Sequence, residues 1–256
     1  MSFLLNYIEI KKKKNIVKRE LFEVKRKLKP ISFTEALEKD SICIIAEVKR
    51  ASPSAGIIKL KDAVSCAKEY EEGGADAISV LTEKEYFGGD IEDLKSVSEI
   101  VKIPVLRKDF ILDKDEIYES YIIGADSYLL ISECFESYED IEQMIEYGRN
   151  LGMEPLLEFF SDEGGNKAVK TSAKIIGINN RNLHTLEVDL KKGIELFEKF
   201  RNKLDGKIVV SESGIKSKKD IDTLVNVGIT RFLIGETLMK SSNPGELIRE
   251  FKANKK

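Results

Sequence analysis

The chain has 256 residues, 42% hydrophobic and 34% charged, with a formal net charge of −3. That composition belongs to a folded globular protein with a sizeable core, and its slight acidity excludes the strong positive excess usual in nucleic-acid and membrane-surface proteins. No apolar run reaches the roughly 18–20 residues of a membrane span, and the N-terminus lacks a signal-peptide core and cleavage site, so a cytoplasmic protein with a small-molecule partner is expected.

Residues 1–30 hold ten Lys/Arg against three acids, a local charge of 10 − 3 = +7. Leu4, Ile8, Ile16, Leu21 and Val24 supply an apolar stripe, which predicts a lysine-rich helix covering one end of a domain. A basic arm that touches nucleic acid is the alternative. Beyond it, short β-branched runs recur at Ile42–Val48, Ala77–Leu81, Ile103–Leu106, Ser127–Ile131, Pro155–Phe159, Lys174–Ile178, Lys207–Val210 and Arg231–Ile234. Helical patterns lie between them, from about Asp62 to Glu72, Asp90 to Val101, Asp113 to Ile122, Ser137 to Leu151, Asp189 to Leu204, Ser217 to Val227 and Pro244 to Phe251. Several end in glycine just before a strand, at Gly73-Gly74, Gly124, Gly152 and Gly228, where a left-handed residue stops a helix. The fifth connection, Ser161–Ser172, contains Gly164-Gly165 and predicts a short or irregular helix. The three cysteines, Cys43, Cys66 and Cys134, are far apart with no histidine set nearby, so they read as reduced thiols rather than metal ligands.

Eight strands alternating with helices predict an α/β chain, either a closed (β/α)8 TIM barrel or an open doubly wound sheet. The count favours closure, and the first strand is followed by KRASPSAG rather than a dinucleotide-binding GxGxxG turn. The expected organisation is a single barrel domain over residues 1–256, of which about 1–40 is an N-terminal helical extension. Barrel active sites sit where the strands end. There the sequence turns polar: Glu47 and Lys49 after the first strand, Arg107-Lys108-Asp109 after the third, Glu158 on the fifth, Asn179-Asn180-Arg181 after the sixth, and Ser211-Glu212-Ser213 after the seventh. One such charge can simply mark the way out to solvent. Three glutamates and two lysines facing one pocket can instead pair and tune each other for acid–base catalysis. Ser213-Gly214-Ile215 and Gly235-Glu236 follow strands seven and eight, where barrels often bind phosphate.

In combination, AEVKRASPSAG, LTEKEYFGGD, PVLRKDFI, PLLEF, IGINNRNLHTLEVDL, VSESGI and FLIGETLM resemble the indole-3-glycerol-phosphate synthase family of tryptophan biosynthesis, in order from about Ile31 to Pro244. The resemblance implies a TIM barrel with an N-terminal extension and a lyase that closes the ring of 1-(2-carboxyphenylamino)-1-deoxyribulose 5-phosphate, releasing carbon dioxide and water. It implies no cofactor and no metal. By the family pattern, Lys108 is the general acid of ring closure, Glu158 and Glu47 are the carboxylates of dehydration, and Lys49 contacts the substrate carboxylate or assists hydroxyl departure. Asn179, Glu212 and Ser213 match positions that hold substrate hydroxyls and the other catalytic groups. Arg181 and Ser52 match positions near the anthranilate carboxylate, Phe87 and Phe110 can sandwich its ring, and phosphate lies against Gly214, Gly235 and the N–H of Glu236. The only histidine, His184, reads as a surface residue. Contact with other enzymes of the tryptophan pathway is the macromolecular partnership this raises. Phosphoribosylanthranilate isomerase, a related phosphate-binding barrel, and a catalytically idle barrel kept for assembly remain the competing expectations.

Overall fold

The computed structural model describes residues 2–14, 26, 28–52, 56–58 and 61–253. The chain opens with α1 (Phe3–Lys14) and a short α2 (Phe33–Leu37). Eight parallel strands then close a barrel: β1 (Cys43–Val48), β2 (Ala77–Leu81), β3 (Val105–Lys108), β4 (Ser127–Ile131), β5 (Leu156–Phe159), β6 (Ile175–Asn179), β7 (Ile208–Glu212) and β8 (Arg231–Ile234). β8 pairs back onto β1, with Cys43 to Ala46 opposite Arg231 to Ile234. The closed TIM barrel is thus what the strand count predicts, and the open sheet is excluded.

The strands read as near-continuous apolar runs because both faces are buried. Ile44, Ala46 and Val48 pack outward into the helix layer, while Cys43 and Ile45 join Leu106, Leu129, Leu156, Ile175, Val210 and Leu233 inside the barrel. β3, β6 and β7 run one or two residues further than their apolar segments suggest. Hydropathy stops at the first amide or charge, whereas ladder hydrogen bonding is indifferent to side-chain polarity.

The helices of the barrel are α3 (Ala63–Glu72), α4 (Ile91–Ser98), α5 (Lys114–Ile122), α6 (Tyr138–Asn150), α7 (Asp162–Ala168), α8 (Leu190–Phe200), α9 (Lys218–Asn226), α10 (Glu236–Lys240) and α11 (Pro244–Lys252). Asp62, Asp90, Asp113, Ser137, Asp189 and Ser217 each cap a helix by accepting a backbone N–H, as their type favours. Short α7, at seven residues, matches its glycine pair. Those glycines are needed for space: a Cβ on Gly164 would lie 2.1 Å from Glu133 Oε1, and one on Gly165 2.3 Å from the Phe200 ring.

The described parts of the N-terminal segment sit at both ends of the barrel. At the mouth, Leu4, Tyr7 and Ile8 of α1 are buried in one cluster with Phe110, Phe160 and Leu183. The helix start is tied down by Phe3 and Leu4 N–H donating to the carbonyls of His184 and Leu183. Ser2 Oγ also lies 2.5 Å from His184 Nδ1, and the ring stands edge-on to Phe160 at 5.2 Å. His184 is therefore half-buried as an anchor for α1, not the plain surface residue its polar loop suggests. At the base, Phe33 and Leu37 of α2 are buried beneath the barrel, and the Leu37 carbonyl accepts from Arg231 Nε at 3.0 Å. Arg26 meets Asp126 at 2.6 Å, just ahead of β4. Two cations of the basic arm, Lys11 and Arg26, thus serve internal carboxylates. The expected stripe positions Ile16, Leu21 and Val24 lie outside the described residues.

Candidate active site

A cavity of about 800 Å³ opens at the C-terminal end of the barrel, where β1, β3, β5, β6, β7 and β8 deliver Glu47, Lys49, Lys108, Glu158, Asn179, Arg181, Glu212, Gly214, Gly235 and Glu236 to one surface. Alternation explains the selection: Glu47 lies two residues beyond inward-facing Ile45, Lys108 two beyond Leu106, Glu158 two beyond Leu156 and Glu212 two beyond Val210. Arg50 takes the opposite side and pairs with Asp93 on α4, with Nη2 2.8 Å from Oδ1. Arg107, on the other face from Lys108, is fully buried between barrel and helices.

Lys108 is the centre of the site. Its ammonium lies 2.7 Å from Glu158 Oε2 and 3.1 Å from Glu212 Oε2. Burial opposes the charge, but Glu158, Glu212 and Glu47 outweigh it and hold the Lys108 pKa well above that of an ordinary lysine. Glu158 is completely buried. Desolvation would raise its pKa, yet the Lys108 ammonium and the Asn179 amide, which donates to Oε1 at 2.7 Å, keep it below the usual carboxylate range. Asn179 is itself fixed, because its Oδ1 accepts the Arg181 N–H at 2.9 Å.

Glu212 has the opposite fate. Its ion-pair contact with Lys108 is not aligned as a hydrogen bond, and neither carboxyl oxygen has a hydrogen-bond partner. Burial, reinforced by the negative charge of Glu158, pushes the Glu212 pKa up to about 8. Two carboxylates around one lysine are thereby separated into an ionised member and a proton-holding one, which is the condition for acid–base work near neutrality. This has a consequence for stability. The folded chain holds the Glu212 proton up to about 8, whereas the unfolded chain loses it near 4.5, so stability falls as pH rises through that window. Glu158, with its pKa depressed, acts at lower pH, where its contribution is lost on acidification. Glu212→Gln should flatten the decline in urea midpoint between about pH 5 and about pH 8. A variant whose midpoint falls over this range as much as the wild type does would contradict the assignment.

Glu47 pairs with Lys49 at 3.1 Å, and Lys49 Nζ also lies 5.5 Å from the centre of the Phe87 ring. Phe87 and Phe110 pack on each other, 6.3 Å apart and tilted by 48°. Ser52 pairs through its backbone with Gly56 in a two-residue hairpin, while residues 53–55 of the same loop lie outside the described residues. Arg181 is half-buried, its Nη1 donating to the Leu186 carbonyl at 2.9 Å.

After β7, Ser213 and Gly214 both take left-handed backbone, with φ of 67° and 78°. Such strain at a non-glycine residue persists only where surroundings enforce it. Asn180 does so, donating from Nδ2 to the Ser213 carbonyl at 2.9 Å and to Ser211 Oγ at 3.0 Å. The Glu236 carboxylate turns onto Lys240 at 2.6 Å. That hydrogen bond lowers its pKa, which leaves the anion engaged by a lysine of its own helix.

Two glycines have a role the sequence reading did not assign. A Cβ on Gly177 would lie 2.1 Å from Glu212 Oε1, and one on Gly235 would lie 2.4 Å from Glu47 Oε1. Glu212 occupies the space left by Gly177 within neighbouring β6, and Glu47 the space left by Gly235 just after β8. A glycine inside an apolar strand is the available signal for such a close approach. Tyr7, Lys11, Glu83, Asp109 and Asn180 also shape the mouth, and only the last two adjoin residues singled out from the sequence. Among the described residues no group of three or more His, Cys, Asp or Glu could hold a metal ion, and no helix is long and apolar enough to cross a membrane.

Comparison with known proteins supplies the remaining finding. The family model described as indole-3-glycerol phosphate synthase matches residues 5–251. The chain is 48% identical over 248 residues to the indole-3-glycerol phosphate synthase of Endomicrobium trichonymphae, covering 95% of this chain and 93% of that one. It is 45% identical over 231 residues to the enzyme of the same name from Aquifex aeolicus, covering 90% and 88%. Among solved structures, 3-hexulose-6-phosphate synthase from Salmonella typhimurium superposes with a TM-score of 0.64 at 12% identity, covering 82% of this chain and 97% of that chain. KGPDC from Streptococcus mutans gives 0.63 at 13% identity, covering 82% and 94%. At such identity these two likenesses concern the fold.

Proposed function

The chain belongs to the indole-3-glycerol phosphate synthase family, and from that premise we propose how its barrel mouth performs the family's reaction. The enzyme is a carboxy-lyase of tryptophan biosynthesis. It closes 1-(2-carboxyphenylamino)-1-deoxyribulose 5-phosphate to indole-3-glycerol phosphate, with loss of carbon dioxide and water. Family membership favours this reading over the isomerase and the idle barrel.

One observation carries the assignment of roles: the Lys108 ammonium sits between the carboxyl groups of Glu158 and Glu212 at the cavity floor, 2.7 and 3.1 Å away. Lys108 delivers a proton to the ribulose carbonyl oxygen as the aromatic carbon attacks it. Its raised pKa keeps it fully charged but makes it a weaker acid than an ordinary lysine, so proton delivery relies on the alkoxide forming directly against the ammonium. Decarboxylation restores the ring. Glu158 and Glu47 then serve dehydration, one removing a proton and the other stabilising the cation, while Lys49 contacts the carboxylate or helps the hydroxyl leave. Asn179, Glu212 and Ser213 hold substrate hydroxyls and the catalytic groups, with Arg181 and Ser52 near the anthranilate carboxylate.

The aromatic ring lies against the Phe87–Phe110 pair. A ring inserted between two others needs roughly 7 Å between their planes, twice a ~3.5 Å contact, so these mutually packed rings offer a shared face or must part. The phosphate rests on Gly214, Gly235 and the Glu236 N–H, with Lys49 adding charge. Glu236's carboxylate, held by Lys240, is compatible with a backbone-only contact to the dianion. Charge-assisted hydrogen bonds contribute about 1.5–3 kcal/mol each, so three or four anchor a small substrate. The three cysteines, two of them buried and none in a disulfide, fit a reducing cytoplasmic compartment.

The test is direct. Purified chain and the carboxyphenylamino-deoxyribulose phosphate, with no cofactor added, should generate indole absorbance and fluorescence. A silent mixture at micromolar enzyme would sink the reading.

A further inference from the structure

We propose that Lys11 of α1, acting through Asp109, is a positioning residue for the end of β3, which carries Lys108 and Phe110. This rests on the role given to Lys108 above. Asp109 is the hub between those two residues. Its Oδ2 accepts from Thr82 Oγ1 at 2.6 Å and from Arg107 Nη2 at 3.2 Å, and its Oδ1 accepts the Phe110 N–H at 2.8 Å and Lys11 Nζ at 3.3 Å. Lys11 also meets Glu116 Oε1 at 2.7 Å and donates to the Phe110 carbonyl. Its side chain is 13% exposed, against 8% for Asp109 and 4% for Glu116.

The charges leave little slack. Lys11 and Arg107 face Asp109, Glu116 and Glu119, with Arg107 Nη1 2.8 Å from Glu119. Burial disfavours every one of these charges, yet Lys11 and Arg107 hold the Asp109 pKa down at about 2. Without Lys11, one cation would face three carboxylates in a largely buried region, and the end of β3 would have to shift or take up protons. One turn earlier on α1, the Tyr7 ring packs against Phe110 with centroids 4.3 Å apart, tilted by 40°, and its hydroxyl donates to Glu83 Oε1 at 3.4 Å. The Glu83 carboxylate in turn gathers the N–H groups of Glu85, Tyr86 and Phe87 at 2.9, 2.8 and 3.1 Å. The N-terminal helix thus grips both aromatic walls and the loop beside the proposed acid. Lys11 does not line the cavity, so its influence runs through position.

A misplacement of about 1 Å at a reacting group can cost on the order of 100-fold, so Lys11→Met should lower kcat about 10- to 100-fold while KM changes less than about threefold. Lys11→Arg, which keeps charge and reach, should restore most of the rate. In a double variant with Asp109→Asn, the combined loss should be no larger than the greater single loss, since both remove one linkage. Should Lys11→Met fail to fold, Lys11→Gln takes its place and should also lose kcat. Wild-type kcat in a folded Lys11→Met or Lys11→Gln enzyme, while Lys108→Ala is inactive, overturns the positioning role alone. Multiplying losses in the double variant overturn it as well. Retained activity in Lys108→Ala would instead overturn the assignment of the acid.

Discussion

Replacing Lys108 by alanine should lower kcat by about 10²- to 10⁴-fold, the range general acid catalysis supplies. The barrel should remain folded. Lys108 is the cation shared by Glu158 and Glu212, and its removal leaves two buried carboxyls facing each other. In another setting that would cost several kcal/mol. Here Glu212 already holds a proton up to about 8, and Glu158, freed of the ammonium that holds its pKa down, can take up a proton too, with the Asn179 amide still beside it. Circular dichroism and thermal unfolding should therefore show a weakened but native enzyme, and steady-state kinetics a nearly inactive one. Near-wild-type turnover would remove Lys108 from the chemistry.

Glu158→Gln should cause a loss of comparable size, about 10²- to 10⁴-fold in kcat, for a different reason. Glutamine keeps the shape and can still accept the Asn179 hydrogen bond through its amide oxygen, so packing changes little. What disappears is the negative charge. Lys108 then has only Glu212 and the more distant Glu47 as counter-charges, and Glu212, relieved of its like-charged neighbour, ionises more readily. The variant should keep an ion pair at the cavity floor yet lack the carboxylate in the right place. Measured kcat, together with a substrate KM close to that of the wild type, checks this. A rate within a few fold of wild type would move the role to another carboxylate.

Much of this was legible in the sequence because barrel strands advertise themselves twice, by apolar runs at regular spacing and by the charges that end them. Glu47, Lys108, Glu158 and Glu212 could be found by alternation from their inward-facing neighbours alone. Gly177 and Gly235 were less legible, since a glycine records that space is needed but not which side chain fills it. The link between α1 and β3 was hidden for a related reason. Lys11 stands in a run of four lysines that reads as a solvated face, and only the folded chain brings it to Asp109 and Glu116, about a hundred residues away. The anchoring role of His184 is hidden likewise, because its polar loop gives no sign that an N-terminal helix lies across it. Phe87 and Phe110 both line the mouth, but a sandwich is a statement about mutual orientation, which spacing along a chain does not encode.

The division of labour between Lys108 and Glu158 is tested most directly by following carbon dioxide release and indole formation separately in single turnovers of wild type, Lys108→Ala and Glu158→Gln. On the proposed roles, Lys108 acts at ring closure, before decarboxylation, so Lys108→Ala should release neither product at an appreciable rate. If Glu158 acts at dehydration as proposed, Glu158→Gln should release carbon dioxide well ahead of any indole signal. Prompt carbon dioxide release from Lys108→Ala, or a Glu158→Gln enzyme blocked before decarboxylation, would contradict the assignment.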